Sequence, residues 1–396
     1  MNVAFCYESV LPARGGCETY IADLARRLLA DRHEVHLYAC RWDEAALPSG
    51  IHYHGLPTLR GPRFLRPWRF GRYCERALRG AGHEVSIGFD KTWGQDVLYP
   101  QGGLHAASAE HNLRKYANPG MRAVARLIKA CDLAHWSFSR LERRQYLGAD
   151  RPLVIVNSLM VRNHFQHYYG ISPENLHVVR SAIDPHRFPE QDRLKRRLEW
   201  RQRWGLETNE TIALFAAMNY RLKGLEPLLY ALARLVELPE CRSAVHPFRL
   251  VVAGNPNFKA YQRLAEKLGV AGRILFVGHC GDMRDAYFAS DFLVHPTFYD
   301  PCSLVVLEAL ACGLPVITTR ANGASELLHP LQEGYVIDDP HDHDRLAWAM
   351  GQLLDPARRS AYGLAARKTA GQWSFEHHYR EMLHVFIKAA ARRHAA

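Results

Sequence analysis

Short β-branched runs recur along the chain, and the intervals between them carry a helical period. In the first half the runs fall at residues 3–7, 34–39, 51–56, 84–89, 97–101, 153–157 and 177–180. Between the first two, Ile21, Leu24, Leu28 and Leu29 recur at the spacing of a helix with one apolar face, over residues 18–30. This alternation of short strands with helical stretches predicts a mainly parallel sheet covered by helices. The alternation restarts after Asp184. Strands are predicted there at 212–217, 250–253, 274–277, 292–295, 315–318 and 335–337, with helices such as 225–236 and 261–268 between them. The intervening stretch SAIDPHRFPEQDRLKRRLEWRQRWG bears prolines and then dense charge, which places a domain junction near 180–188 followed by an exposed helix. A last amphipathic helix is predicted over about 375–389.

With 396 residues the chain has room for two domains, each with its own core. No apolar run approaches the roughly 18 residues of a membrane-crossing helix, and the start MNVAFCY reads as a buried strand rather than a leader peptide. The nine cysteines are scattered without a C-x-x-C pair, which suits reduced thiols better than a zinc site or a disulfide scaffold. The net charge of +11 is uneven, with 24 Lys/Arg against 17 Asp/Glu in residues 1–184. A basic balance implies an anionic partner: nucleic acid, a membrane surface or a phosphorylated glycan. No recognisable nucleic-acid module occurs, so nucleic acid is not expected as a partner. The G-x-G-x-x-G and G-x-x-x-x-G-K-[ST] signatures are also missing, which disfavours dehydrogenase and P-loop readings.

The segment HPTFYDPCSLVVLEALACGLPVITT, residues 295–319, holds the most chemistry. Asp300 follows a short apolar strand, and Glu308 lies eight residues on, inside the next predicted helix. Ser303, Leu304 and Val305 form that helix's first turn, where backbone amides lack intrahelical partners and favour an anion. A phosphate on that turn, with an acid on each side for hydroxyls, matches a ligand built of sugar, diphosphate and ribose. Three other loops also follow predicted strands. Gly15-Gly16 allow close backbone approach, and Asn219-Tyr220-Arg221-Leu222-Lys223-Gly224 offers two cations. The acids and histidine of 88–105 include Asp90, Asp96 and His105.

These motifs resemble glycosyltransferase family 4, retaining enzymes of the GT-B fold. The family pattern E-x7-E appears here as Asp300 and Glu308, with Ser303 where glycine is usual. The resemblance implies an α/β architecture of two facing Rossmann-like, doubly wound domains with an interdomain cleft. Residues 1–182 would form the acceptor-side domain, completed by the C-terminal helix of about 375–396, and 183–374 the nucleotide-sugar domain. It also implies a donor site of Gly15, Gly16, Arg221, Lys223, Asp300, Ser303, Leu304, Val305 and Glu308. Asp300 would hold the donor sugar, Lys223 and Arg221 the diphosphate, and Glu308 the ribose diol. Asp96 or His105 would serve the acceptor, with Asp90 as a third candidate. No cofactor or metal is expected, since cations and a helix start would hold the diphosphate of the co-substrate, UDP-glucose. Likeness in MNVAFCYESVLPARGG and SIGFDKTWGQDVLY points to the branch that glucosylates inner-core heptose of lipopolysaccharide.

One pattern lies outside that resemblance. Arg60, Arg63, Arg66, Arg69, Arg72, Arg76 and Arg79 recur every third or fourth residue, with Phe64, Trp68, Phe70 and Tyr73 between them. A second basic stretch covers 111–144. Arg63, Arg66 and Arg69 are expected to dock on an anionic membrane and meet a lipid-linked or lipopolysaccharide-core acceptor. The protein is accordingly expected in the cytoplasm, peripheral on the inner membrane.

Overall fold

A computed structural model describes residues 1–12, 15–148, 151–242, 247–329 and 331–395. Among these described residues thirteen strands build two all-parallel sheets. In the first sheet they are β1 (Asn2–Cys6), β2 (Glu34–Ala39), β3 (Ile51–Gly55), β4 (Val85–Phe89), β5 (Val97–Tyr99), β6 (Leu153–Val156) and β7 (Leu176–Val178). In the second they are β8 (Thr211–Ala217), β9 (Phe248–Gly254), β10 (Ile274–Gly278), β11 (Phe292–His295), β12 (Val316–Thr319) and β13 (Gly334–Ile337). Each lies within two residues of its sequence expectation. A separate ribbon of Ser9–Val10 and Arg41–Trp42 was not expected, being too short to show a period.

The sheet orders are β3-β2-β1-β4-β5-β6-β7 and β10-β9-β8-β11-β12-β13. Both grow outward from a central strand in one direction and then the other, the doubly wound arrangement. The strands are apolar because both faces are covered: along β1, Val3 and Phe5 enter one buried cluster, and Ala4 and Cys6, pointing the other way, enter another. In such sheets ligands bind beyond the carboxyl ends of the strands, at the point where the order reverses. Here that point lies between β1 and β4 in one sheet and between β8 and β11 in the other.

The chain forms two compact units. The first comprises residues 1–113, 118–180 and 376–396, and the second 114–117 and 181–375. The helix Phe375–Ala395 thus belongs mostly to the first unit, where Tyr379, Met382, Val385, Phe386 and Ala389 enter the core with Phe5, Leu24 and Leu28. His378 pins it: Nδ1 lies 2.7 Å from the Arg180 carbonyl and Nε2 2.7 Å from the Tyr20 hydroxyl. Since a carbonyl only accepts, Nδ1 carries the proton and Nε2 takes the phenolic one. Burial drives the imidazole pKa down to about 4, so the ring is neutral.

Candidate functional site

In the second unit, the loops after β8 and β11 interlock at the point of reversal. The Phe298 amide donates to the Leu222 carbonyl at 2.9 Å, and the Thr297 hydroxyl to the same oxygen at 3.2 Å. Gly224 makes this approach possible. Its φ is +84°, and a Cβ there would stand 2.0 Å from the Pro296 carbonyl oxygen. The result places Lys223 against Asp300, Nζ to Oδ2 at 2.6 Å, with a second bond from Nζ to the Tyr299 carbonyl at 3.2 Å.

Asp300 is clipped at both backbone ends. Its amide donates to Ala321 at 2.9 Å, and its carbonyl accepts from Gly323 at 2.8 Å. Burial opposes ionisation of the carboxyl, but the Lys223 ammonium and His295 outweigh it and hold the group well below the usual carboxylate range. Asp300 is therefore an obligate acceptor at neutral pH.

The helix Leu304–Ala311 starts beside it with Ser303 as its cap, and the Ser303 side chain makes no capping bond. The side-chain oxygen of buried Asn322 accepts from the Ser303 amide at 3.1 Å and from Ala324 at 3.1 Å, which fixes where the helix begins. The amides of Leu304 and Val305 precede the first possible i→i−4 acceptor, so this turn offers donors to an anion. Glu308 sits one turn on, half-buried, accepting from the Tyr287 hydroxyl at 2.6 Å. Burial raises its pKa against the help of that hydroxyl.

The structure thus brings together Lys223, Asp300, Ser303, Leu304, Val305 and Glu308 on adjoining elements of one unit. Arg221 is exposed, and its guanidinium lies 4.4 Å over the ring of Tyr116, within the segment 114–117 of the same unit. Sequence reasoning missed His295, Asn322 and Tyr287. His295 is buried at the end of β11, 3.7 Å from Asp300, and among the described residues neither ring nitrogen has a hydrogen-bond partner. A histidine as the last residue of an otherwise apolar strand was the available signal. A D-x-D, Asp342-His343-Asp344, opens the helix His343–Gln352: Asp342 caps it, and exposed Asp344 pairs with Arg234 at 3.4 Å. Both acids are thereby engaged in local structure.

The first unit holds a cavity of about 490 Å³ at its own point of reversal. Tyr7, Glu8 and Ser9 follow β1, Asp90 and Lys91 follow β4, and all five line it. His105 joins them from the start of the helix His105–Arg114, its Nε2 2.9 Å from Nδ1 of His135. Burial, and after it His135, lowers the His105 pKa to about 4. Asp96 is not brought here. It precedes β5, at the amino end of the sheet, and its Oδ2 accepts from the Ser86 amide at 2.8 Å and hydroxyl at 2.6 Å. Arg393 stands 3.6 Å away, so the expected acceptor-side role for Asp96 gives way to tying strand to helix. Gly15 caps the helix Gly16–Ala30 in this unit with an extended backbone that any residue adopts, and an added Cβ would meet the Glu18 carboxylate at 2.7 Å. Its neighbours Ala13 and Arg14 lie outside the described residues.

Two parallel-sheet Rossmann-like units, with an ion pair and an open helix start at a point of strand reversal, define a nucleotide-sugar glycosyltransferase of the GT-B type. The chain belongs to this family of transferases: residues 14–187 match Glycosyltransferase Family 4 and residues 196–369 match Glycosyl transferases group 1. It is 25% identical over 354 residues to the lipopolysaccharide glucosyltransferase WaaG of Escherichia coli K12, covering 89% of this chain and 90% of that one. It is 30% identical over 386 residues to the GDP-mannose-dependent alpha-(1-6)-phosphatidylinositol monomannoside mannosyltransferase of Mycolicibacterium smegmatis, covering 91% of each. The crystal structure of WaaG superposes with a TM-score of 0.77 at 24% identity, covering 98% of both chains, and supports the fold.

Proposed function

We propose that this protein is a retaining hexosyltransferase that moves glucose from UDP-glucose to a hydroxyl of a cell-envelope glycan, a heptose of the lipopolysaccharide inner core. The observation that carries the reading is the 2.6 Å pair of Lys223 and Asp300 beside the open amides of Leu304 and Val305. Asp300, held ionised, accepts hydroxyl hydrogens of the donor sugar. Lys223 and the helix start hold the diphosphate and stabilise the negative charge that grows on it as the glycosidic bond breaks. Glu308 accepts from the ribose hydroxyls. The departing phosphate takes the acceptor's proton on the same face, which retains configuration, and no metal or cofactor is required.

A mannosyl donor on GDP is the competing reading, favoured by the 30% identity to a GDP-mannose-dependent enzyme. A thermal-shift panel of UDP, GDP, ADP and CMP, followed by their sugars, separates the two. A ligand at a hundred times its Kd stabilises the fold by about 2.7 kcal/mol. A response to GDP and none to UDP would overturn the glucosyl assignment, and no response to any nucleotide would overturn the transferase reading.

We propose further that the first unit docks on an anionic membrane surface at the cytoplasmic face. Among the described residues no helix is long and apolar enough to cross a membrane. Arg63, Arg66 and Arg69 are exposed. The helix Pro119–Ala130 buries none of its residues and exposes Met121, Val124, Leu127 and Ile128, with Leu133 and Trp136 following at 67% and 65% exposure. Arg122 and Arg126 lie among them. An apolar face flanked by arginines suits the boundary between headgroups and acyl chains.

A further inference from the structure

The cavity of the first unit is lined by an unusual balance of charge. Glu8, Glu18, Asp90 and Glu142 contribute carboxyl groups, against Lys91 and His105. His105 is neutral, and the Lys91 ammonium lies 3.7 Å from the centre of the Phe138 ring, where the ring face takes up part of its charge. Phe89, Phe138 and Tyr146 supply apolar wall.

Asp90 stands out within that lining. Its backbone is left-handed, φ +55°, a conformation that persists away from glycine only where the surroundings over-determine it. They do so here. The Gln145 side-chain amide donates to the carbonyls of Asp90 and Thr92 at 2.6 and 2.8 Å, and the Asp90 amide donates to Tyr99 at 3.2 Å. The Gly102 amide donates to Oδ1 at 3.2 Å. A carboxylate has about four lone-pair positions, so capacity for a ligand hydroxyl remains. Glu142, by contrast, already accepts from the amides of His105 and Ala106 and from the Tyr169 hydroxyl, which commits it to starting the helix His105–Arg114.

We infer that this cavity takes an uncharged, polyhydroxylated sugar ring, that Asp90 positions its reacting hydroxyl, and that a phosphorylated ring is turned away at this point. The assignment presupposes the glycosyl transfer proposed above and specifies the acceptor's chemistry. Burial raises the pKa of Asp90, while the Gly102 amide and Lys91 favour its ionised form. Carboxylates accept well from hydroxyls, aromatic walls fit the C–H faces of a pyranose, and a phosphate dianion among these acids meets like charge. Phosphates elsewhere on the acceptor would then fall to the exposed arginines.

Saturation-transfer NMR on the full chain tests the pocket without needing a donor, using methyl α-D-mannopyranoside and mannose 6-phosphate as probes. The neutral glycoside should bind and the phosphate should bind about tenfold more weakly. Asp90→Gly retains the positive φ and removes only the carboxylate, so it should weaken the neutral glycoside about ten- to a hundredfold. Asp90→Asn, which tolerates the same backbone and keeps one acceptor, should recover part of that loss. In the presence of UDP-glucose both variants should shift turnover from transfer toward hydrolysis, with the nucleotide thermal shift unchanged. Equal or tighter binding of mannose 6-phosphate, no binding of the neutral glycoside, or an unaltered Asp90→Gly would each overturn the inference. A wild-type chain that binds the glycoside but no nucleotide would instead overturn the transfer reading.

Discussion

The two units share a strand order and place their polar side chains on the same two loops, yet those loops differ in charge. After β8 and β11 Lys223 pairs with Asp300 next to the open amides of a helix start. After β1 and β4 carboxyl groups surround a 490 Å³ cavity. The same backbone scaffold therefore offers donors to an anion in one unit and acceptors to hydroxyls in the other. A doubly wound sheet settles where a ligand binds, and the residues on two loops settle what kind.

The sharpest way to break that contrast is to remove its cation. Lys223→Ala takes away a preorganised donor to developing negative charge, worth about 2.7–4 kcal/mol, so turnover of UDP-glucose at saturation should fall by two to three orders of magnitude. A rate within a few-fold of wild type would strike Lys223 from the site. Next in size is a change confined to the first unit. Reversing Arg63, Arg66 and Arg69 to glutamate should cost binding to anionic vesicles at about 1 kcal/mol per cation lost, roughly a hundredfold in all, and leave UDP binding intact. The wild-type binding itself should fall steeply between low and physiological salt. Vesicle cosedimentation that ignores the triple change, or that is equal on neutral lipid, would rule the surface out.

Glu308→Ala should weaken nucleotide binding about ten- to a hundredfold in a protein that still folds, since a charge-assisted hydrogen bond contributes roughly 1.5–3 kcal/mol. Titration calorimetry with UDP reads this directly, and unchanged affinity would remove Glu308 from the ribose. The smallest and most diffuse effect separates the units by pH. In the first unit burial lowers the imidazole pKa of His33, His36, His54, His83, His105, His135, His177 and His378, with His36 brought down to about 4. Among the described residues of the second unit, burial lowers His295 and His343. A lowered histidine pKa means the unfolded state binds more protons, so the stability is complete above about 6.5 and is lost as pH falls toward 4. Hydrogen exchange at pH 5 should therefore show the first unit opening ahead of the second, and the reverse order would contradict this account.

Much of the fold is legible in the sequence because parallel strands buried on both faces must be apolar without interruption. The second unit's site is equally legible where it is local: Asp300, Ser303 and Glu308 lie within one strand, turn and helix. Asn322 and Tyr287 were not, because each meets that segment only through strand order or helix packing; His295 lies within the segment, but its approach to Asp300 depends on how the intervening loop turns back. Asn322 reaches Ser303 across the gap between β11 and β12, a neighbour relation that no spacing encodes. Asp96 went astray for the converse reason. The resemblance points to a stretch and not to one residue, while the place of Asp96 before β5 puts it at the amino edge of the sheet, away from the cavity.

The helix Phe375–Ala395 has a consequence for how the molecule is made. Its side chains Tyr379, Met382, Val385, Phe386 and Ala389 complete the first unit's core, yet they leave the ribosome only after the whole second unit. At about 5–20 residues per second, the interval between Arg180 and Glu376 is roughly ten to forty seconds. Through that interval the nascent first unit carries an uncovered apolar groove. The later half of the polypeptide can mature on emergence, while the earlier half waits for the last segment to be translated.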